Sequence, residues 1–297
     1  MKKYFVITLI FLSLAHIEAQ EAKVVKDLSY YSEESLDAEK QMLDLYLSAE
    51  KDAPILLWIH GGAWAFGDKK DEASLAKLLS NQGISVAVIN YRLSPAIWAD
   101  PKFNTGIRHP EHIKDVASAF KWVYDNAGKY NFDKNRIFVS GYSSGGHLSA
   151  LLATDPKYLE VEGLGLDNIK GVIPIAGAYD IPAYYDTHLK FNGIDLAENH
   201  VKGVFGDTRE ELYEASPTTH LKNLKTPMLL ISESQSYQYT RILEEAMKKM
   251  SGIDFEVLHA HEFNHKEFYQ HLSSTVPNKY QRAIIEFING KSLSKLK

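Results

Sequence analysis

The run Ile137-Phe138-Val139-Ser140-Gly141-Tyr142-Ser143-Ser144-Gly145-Gly146-His147 limits the possible folds of this chain more than any other segment. An apolar stretch leads into G-x-S-x-G, and a helical pattern over 148–153 follows. A serine on a tight turn between strand and helix is pushed out of the backbone toward a pocket. The flanking glycines permit the strained turn, and the start of the helix favours negative charge beside the hydroxyl. Ser143 is therefore the candidate nucleophile.

The rest of the chain has the rhythm such a turn requires. Strand-like runs recur at 55–60, 84–90, 137–140, 172–176, 228–232 and 255–258. Helical patterns separate them at 73–81, 112–126, 241–250 and 278–289. This alternation predicts a mostly parallel, doubly wound sheet with helices on both faces. Its site should lie at the carboxyl ends of the strands.

Two further segments end at that same edge. Pro54-Ile55-Leu56-Leu57-Trp58-Ile59-His60-Gly61-Gly62-Ala63-Trp64 is a buried-looking strand closing on His-Gly-Gly. Glycines let backbone N–H groups approach a reacting oxygen without a side chain between. The predicted oxyanion donors are the amides of Gly61, Gly62 and Ser144. Near the C-terminus, Phe255-Glu256-Val257-Leu258 is followed by His259, His261 and His265. His265, just before the helical-looking stretch 267–272, is the candidate general base. The same stretch reads His261-Glu262-Phe263-Asn264-His265, an H-E-x-x-H match. A zinc site would need both histidines on one helix. Here Asn264 looks like a turn or cap, and zinc would leave the serine and glycine motifs unexplained.

With these motifs in place, the chain resembles α/β-hydrolases of the esterase/lipase group that carry a His-Gly-Gly loop. It is most similar to bacterial feruloyl-esterase-like and kynurenine-formamidase-like hydrolases. The resemblance covers Leu43-Asp44-Leu45-Tyr46-Leu47, residues 60–64, Asn90-Tyr91-Arg92-Leu93-Ser94-Pro95, residues 109–122 and 136–158, residues 169–180 and Ala215-Ser216-Pro217. It implies an α/β-hydrolase fold with a small cap insertion. It also implies a serine carboxylesterase cleaving carboxylic esters, among them acyl, feruloyl or acetyl esters of carbohydrates. An aryl formamidase or amidase on the same site is the alternative.

The resemblance also places an acid after the strand 227–231, where this chain reads Ser232-Glu233-Ser234-Gln235-Ser236. The usual position falls on Gln235. Glutamine can orient an imidazole but cannot supply negative charge to an imidazolium. Glu233, two residues earlier, and Asp180, after the strand 171–176, are the substitutes. Glu233 is preferred, because a Tyr-Asp at 179–180 commonly caps the next segment. If neither serves, the chain is a weakly active or non-catalytic homologue. Asp115 and Trp122 are expected to be structural. No metal or organic cofactor is expected.

Met1-Lys2-Lys3, the apolar run 4–14 and Ile17-Glu18-Ala19 fit a cleaved signal peptide over 1–19. That run is short of the about 20 apolar residues a membrane span needs, so stable membrane insertion is not expected. A secreted or periplasmic location follows, with 20–297 as one hydrolase domain. Zero cysteines exclude a thiol nucleophile and are compatible with an oxidising compartment. The formal net charge is −5, and no basic stripe suggests nucleic-acid binding. The expected partner is a small-molecule or carbohydrate-linked ester. Residues 181–214, with Tyr184, Tyr185, Phe191 and Phe205, are expected to form a cap. Residues 94–108, with Trp98 and Phe103, are expected to form a second pocket wall.

Overall fold

In the computed structural model, which describes residues 23–31 and 37–291, eight strands form one sheet. In chain order they are β1 (Lys23–Ser29), β2 (Met42–Leu47), β3 (Ala53–Ile59), β4 (Ser85–Ile89), β5 (Phe132–Tyr142), β6 (Gly171–Ile175), β7 (Met228–Glu233) and β8 (Phe255–Ala260). Their spatial order is β1-β2-β4-β3-β5-β6-β7-β8. β1 and β2 pair antiparallel, as do β2 and β4, and every later pairing is parallel. The expected signal segment, 1–19, lies outside the described residues.

Period-two alternation decides which core each side chain joins. On β3, Ile55, Leu57 and Ile59 face one layer, where Ile113, Val116 and Phe120 of the helix Glu111–Tyr130 meet Leu148 and Leu151 of the helix Ser144–Thr154. Leu56 and Trp58 face the other layer, with Leu75 and Leu79 of the helix Ala73–Ser80 and Ile284 and Ile288 of the helix Lys279–Ile288. Every residue of β3 and β4 is buried. A strand covered on both faces reads as a continuous apolar run, and each fully buried Leu or Ile contributes about 1.5–3 kcal/mol.

The six expected strands are present, and β1 and β2 are additions. β1 is a half-exposed edge strand with an irregularity between Val25 and Leu28, where Asp27 has φ +54°. Its charged sequence hides the alternation that marks a strand. β2 buries Asp44, whose carboxylate pairs with the buried ammonium of Lys69. The helix after Ser143 begins at Ser144 rather than 148, and β5 begins at Phe132 rather than 137.

Candidate active site

Ser143 sits where β5 turns into the helix Ser144–Thr154, at φ +56° and ψ −114°. A non-glycine residue rarely adopts that conformation, and such strain clusters at functional sites. The turn is fixed from both sides. The Ser143 amide donates to the carbonyl of Ile175 at 2.8 Å, and the His147 amide donates to the carbonyl of Ser143 at 3.0 Å. Gly145 has no room for a side chain: a Cβ there would lie 2.0 Å from the Ile59 carbonyl oxygen.

Register brings the glycine loop to the same place. Ile59 pairs with Gly141 across the β3–β5 ladder, so the residues beyond both strand ends are neighbours. A Cβ on Gly61 would lie 2.9 Å from the Tyr142 carbonyl oxygen and 3.3 Å from Ser143 Cβ. The loop then folds tightly. Gly62 has φ +122°, Ala63 +55° and Trp64 +58°, and the Gly62 carbonyl accepts from the amides of Ala65 and Phe66. Among the described residues, no backbone hydrogen bond uses the amide of Gly61 or Gly62.

Buried groups brace this loop from behind. His60 Nδ1–H donates to the Gly61 carbonyl at 2.7 Å, and its ring stacks on Tyr91 with centroids 4.4 Å apart. Burial lowers His60 to about 4, against a smaller opposing effect of the Gly61 carbonyl, so the ring is neutral at pH 7. The Tyr91 hydroxyl lies 3.3 Å from the His60 carbonyl oxygen and 3.2 Å from Ser144 Oγ.

The histidine and its acid come from the next pair of strand ends. Glu233 closes β7 and pairs in register with Ala260, which closes β8. The loops beyond are joined, since the Ser234 amide and hydroxyl both donate to the Phe263 carbonyl, at 3.1 and 2.7 Å. His265 opens the helix His265–Leu272, capped by Asn264 in a reciprocal capping box with Glu267. His265 Nδ1 and Glu233 Oε1 are 2.9 Å apart. The Glu233 side chain is fully buried, and the His265 side chain is 38% exposed. Burial pushes the Glu233 carboxyl up. Hydrogen bonds from His265, the Gln235 amide (2.5 Å) and Ser236 (2.9 Å) outweigh it and hold the group below the usual carboxylate range.

The other two acid candidates are occupied elsewhere. The Gln235 side-chain oxygen accepts from the His265 backbone amide at 3.0 Å rather than from the imidazole. Asp180 caps the helix Ile181–Phe191 by accepting from the Ala183 amide at 2.9 Å, and it also accepts from the Thr218 hydroxyl. Asp115 is structural, buried under a bidentate Arg92 guanidinium.

Gly61, Gly62, Ser143 and His265 line one cavity of about 670 Å³. Phe66, Asp71, Glu72, Tyr142 and Tyr269 are among its other lining residues, and no role for them was expected from the sequence. Tyr142 is the variable residue inside G-x-S-x-G. Its hydroxyl donates to the His265 carbonyl at 2.6 Å, a role the motif alone cannot disclose. The two expected walls are corrected here. Trp98 and Phe103 meet Phe66 edge-on, Phe103 is exposed, and neither lines the cavity. Tyr184, His200 and Phe205 pack around Trp64 instead of lining the cavity.

The zinc pattern also dissolves. His261 follows β8 in a turn and packs against Tyr237, whereas His265 starts a separate helix. Among the described residues, Asp155, Glu214 and His220 form the one group with ligand atoms close enough to share an ion. The Lys157 ammonium already bridges its two carboxylates, at 2.9 and 2.8 Å.

Residues 43–238 match the family model described as BD-FAE. The chain belongs to the BD-FAE family. Esterase LipC of Mycobacterium tuberculosis is 32% identical over 208 residues, which are 67% of this chain and 49% of that protein. The kynurenine formamidase of Danio rerio is 25% identical over 230 residues, 74% of this chain and 68% of that protein. The BD-FAE chain spans about half the length, or somewhat less, of LipC and of a second M. tuberculosis relative, the probable carboxylic ester hydrolase LipM. Esterase B of Lactobacillus rhamnosis superposes with a TM-score of 0.74 at 19% identity, covering 93% of this chain and 88% of that one. A truncated carbohydrate esterase from gut microbiota gives 0.69 at 22% identity, covering 92% and 97%. The fold is that of an α/β-hydrolase. No helix among the described residues is long and apolar enough to cross a membrane.

Proposed function

We propose that this BD-FAE protein is a serine carboxylesterase. The observation that carries the reading is the 2.9 Å contact between His265 Nδ1 and the buried Glu233 carboxylate, beside a cavity that His265 shares with the strained Ser143. Esterase names among the relatives support the same reading.

In the proposed mechanism, His265 Nε2 takes the Ser143 proton as Oγ attacks the ester carbonyl. Glu233 holds the Nδ1–H tautomer and stabilises the imidazolium that forms. The amides of Gly61, Gly62 and Ser144 face the oxyanion, and losing one such donor typically costs about 2.7–4 kcal/mol of transition-state stabilisation. The C–O bond breaks, and the alcohol leaves with the proton from His265. Water, deprotonated by the same imidazole, then releases the acid and restores Ser143. The substrates we propose are acyl esters of carbohydrates and small esters. The fold-level likeness to a gut-microbiota carbohydrate esterase agrees with the first of these.

A formamidase activity is the second reading, favoured by the similarity to the Danio rerio enzyme. Parallel assays of p-nitrophenyl butyrate and an N-formyl arylamine separate the two. The Ser143→Ala variant should lose ester hydrolysis, and undiminished hydrolysis would refute the serine mechanism.

A further inference from the structure

We infer that Glu72 is a positioning residue for His265. Through the Tyr269 hydroxyl, it ties the helix that carries the proposed base to the segment that continues the glycine loop. The inference rests on the serine-esterase reading above.

Glu72 ends the short turn Lys69–Glu72, which follows the loop 60–67. It is 2% exposed; its Oε2 makes no hydrogen bond of normal geometry, and the Trp58 indole N–H, which has no other partner, lies near enough to favour the charged carboxylate. The Tyr269 hydroxyl donates to Oε1 at 3.1 Å and lies 3.4 Å from the Asp71 carbonyl oxygen. Tyr269 stands four residues after His265, on the same face of the helix. Its ring lies 5.2 Å from that of Tyr142, whose ring in turn lies 4.9 Å from the imidazole. The contacts therefore run in a closed path: the glycine-loop segment, Glu72, Tyr269, Tyr142, and the neighbouring Ser143 and His265.

Two physical arguments make this more than packing. The helix His265–Leu272 has eight residues, and a helix so short has little stability of its own. The position of its first residue therefore depends on what anchors the helix. Phe268 and Leu272 anchor it to the apolar layer, and Tyr269 supplies a polar tether across the cavity. Second, a buried carboxyl with one oxygen left without a well-formed hydrogen bond is unfavourable compared with an apolar side chain of the same size. Burial pushes the Glu72 carboxyl up to about 7. Groups held at such a cost concentrate at functional sites.

The test is kinetics on p-nitrophenyl butyrate with the full-length protein and the variants Glu72→Ala, Glu72→Gln, Tyr269→Phe and Glu72→Ala/Tyr269→Phe. Misplacing a catalytic group by a fraction of an ångström lowers turnover rather than binding, so kcat should fall about tenfold in Glu72→Ala and in Tyr269→Phe, with KM within about twofold. The double variant should be no slower than the slower single one. Glutamine can still accept from the phenol, so Glu72→Gln should stay within about threefold of the wild type. Folded single variants with wild-type kcat, additive losses in the double variant, or a Gln variant as slow as the Ala variant would each overturn the inference. Should Glu72→Ala fail to fold, Tyr269→Phe removes a single hydroxyl and decides the question alone. A wild type without turnover overturns the serine-esterase reading and this inference together, whereas an active wild type with unaffected variants overturns only the latter.

Discussion

Glu233 Oε1 stands 2.9 Å from Nδ1 of His265, whereas Gln235, two residues further on, accepts from the backbone amide of the same histidine. Charge and scaffold are thus divided between two side chains of one loop. Glu233→Gln keeps the shape and removes the charge, so kcat for p-nitrophenyl acetate should fall by about 100-fold or more, with an unchanged circular dichroism spectrum. Wild-type turnover in that variant would remove Glu233 from the mechanism.

Gln235→Ala should behave differently. The His265 amide it serves is near solvent, so water can replace the lost acceptor at a cost of about 0.5–1.5 kcal/mol. We expect less than a tenfold loss of kcat. A loss matching that of Glu233→Gln would make residue 235 an equal partner in the site.

The contrast between these positions separates what the local pattern of the chain encodes from what only its tertiary contacts decide. The strand–serine–helix segment and the His-Gly-Gly loop were legible because their chemistry needs glycines at set offsets, and backbone sterics leave few substitutes. The strands were legible because burial on both faces demands unbroken apolar runs. The acid was harder to read, since Glu233, Gln235 and Asp180 all follow apolar strands. Only the β7–β8 register, with Glu233 level with Ala260, places one of them beside the imidazole. Tyr142, Glu72 and Tyr269 were invisible for a related reason. Their roles depend on contacts across the cavity, which no local pattern encodes. The aromatic residues of 94–108 and 181–214 are ambiguous in sequence, because a ring that is exposed, such as Phe103 or Phe191, or packed on the core, such as Phe205, reads the same as one that lines a cavity.

Gly145, in the turn at Ser143, and Gly163, in an exposed turn after residues 157–161, should tolerate substitution unequally. Gly145→Ala places a Cβ 2.0 Å from backbone oxygen at Ile59, and backbone cannot give way as a side chain can. Gly163 has φ +73° but open space around it, so Gly163→Ala should cost about 1–2 kcal/mol of conformational strain. Melting temperatures or soluble yields should fall several times further for Gly145→Ala. Equal tolerance would contradict the packing described for the Ser143 turn.

Stability should drop steeply on mild acidification. Burial, the largest effect in each case, holds His60 and His147 at about 4, His109 and His200 at about 3, and His112 well below the usual range. A base with a depressed folded pKa contributes stability that is complete above its unfolded value near 6.5 and is lost as pH falls toward the folded value. A histidine held near 4 contributes about 3 kcal/mol at neutral pH, so several together rival the about 5–15 kcal/mol of a typical domain. Glu72 acts in the opposite direction, because its raised pKa favours the fold below 4.5 and loses that advantage as pH rises through about 7. One such group cannot offset five. Urea midpoints should therefore fall between pH 6.5 and 4.5, and a flat or rising series would contradict the neutral buried state of these rings.

The most direct measurement is covalent. The protein is treated with a fluorophosphonate, and the modified peptide is mapped by mass spectrometry. One adduct is expected, on Ser143, with labelling slowed about 100-fold or more in His265→Ala because the proton acceptor is gone. No adduct, an adduct on another residue, or equally fast labelling without His265 would contradict a Ser143–His265 pair as the site of chemistry.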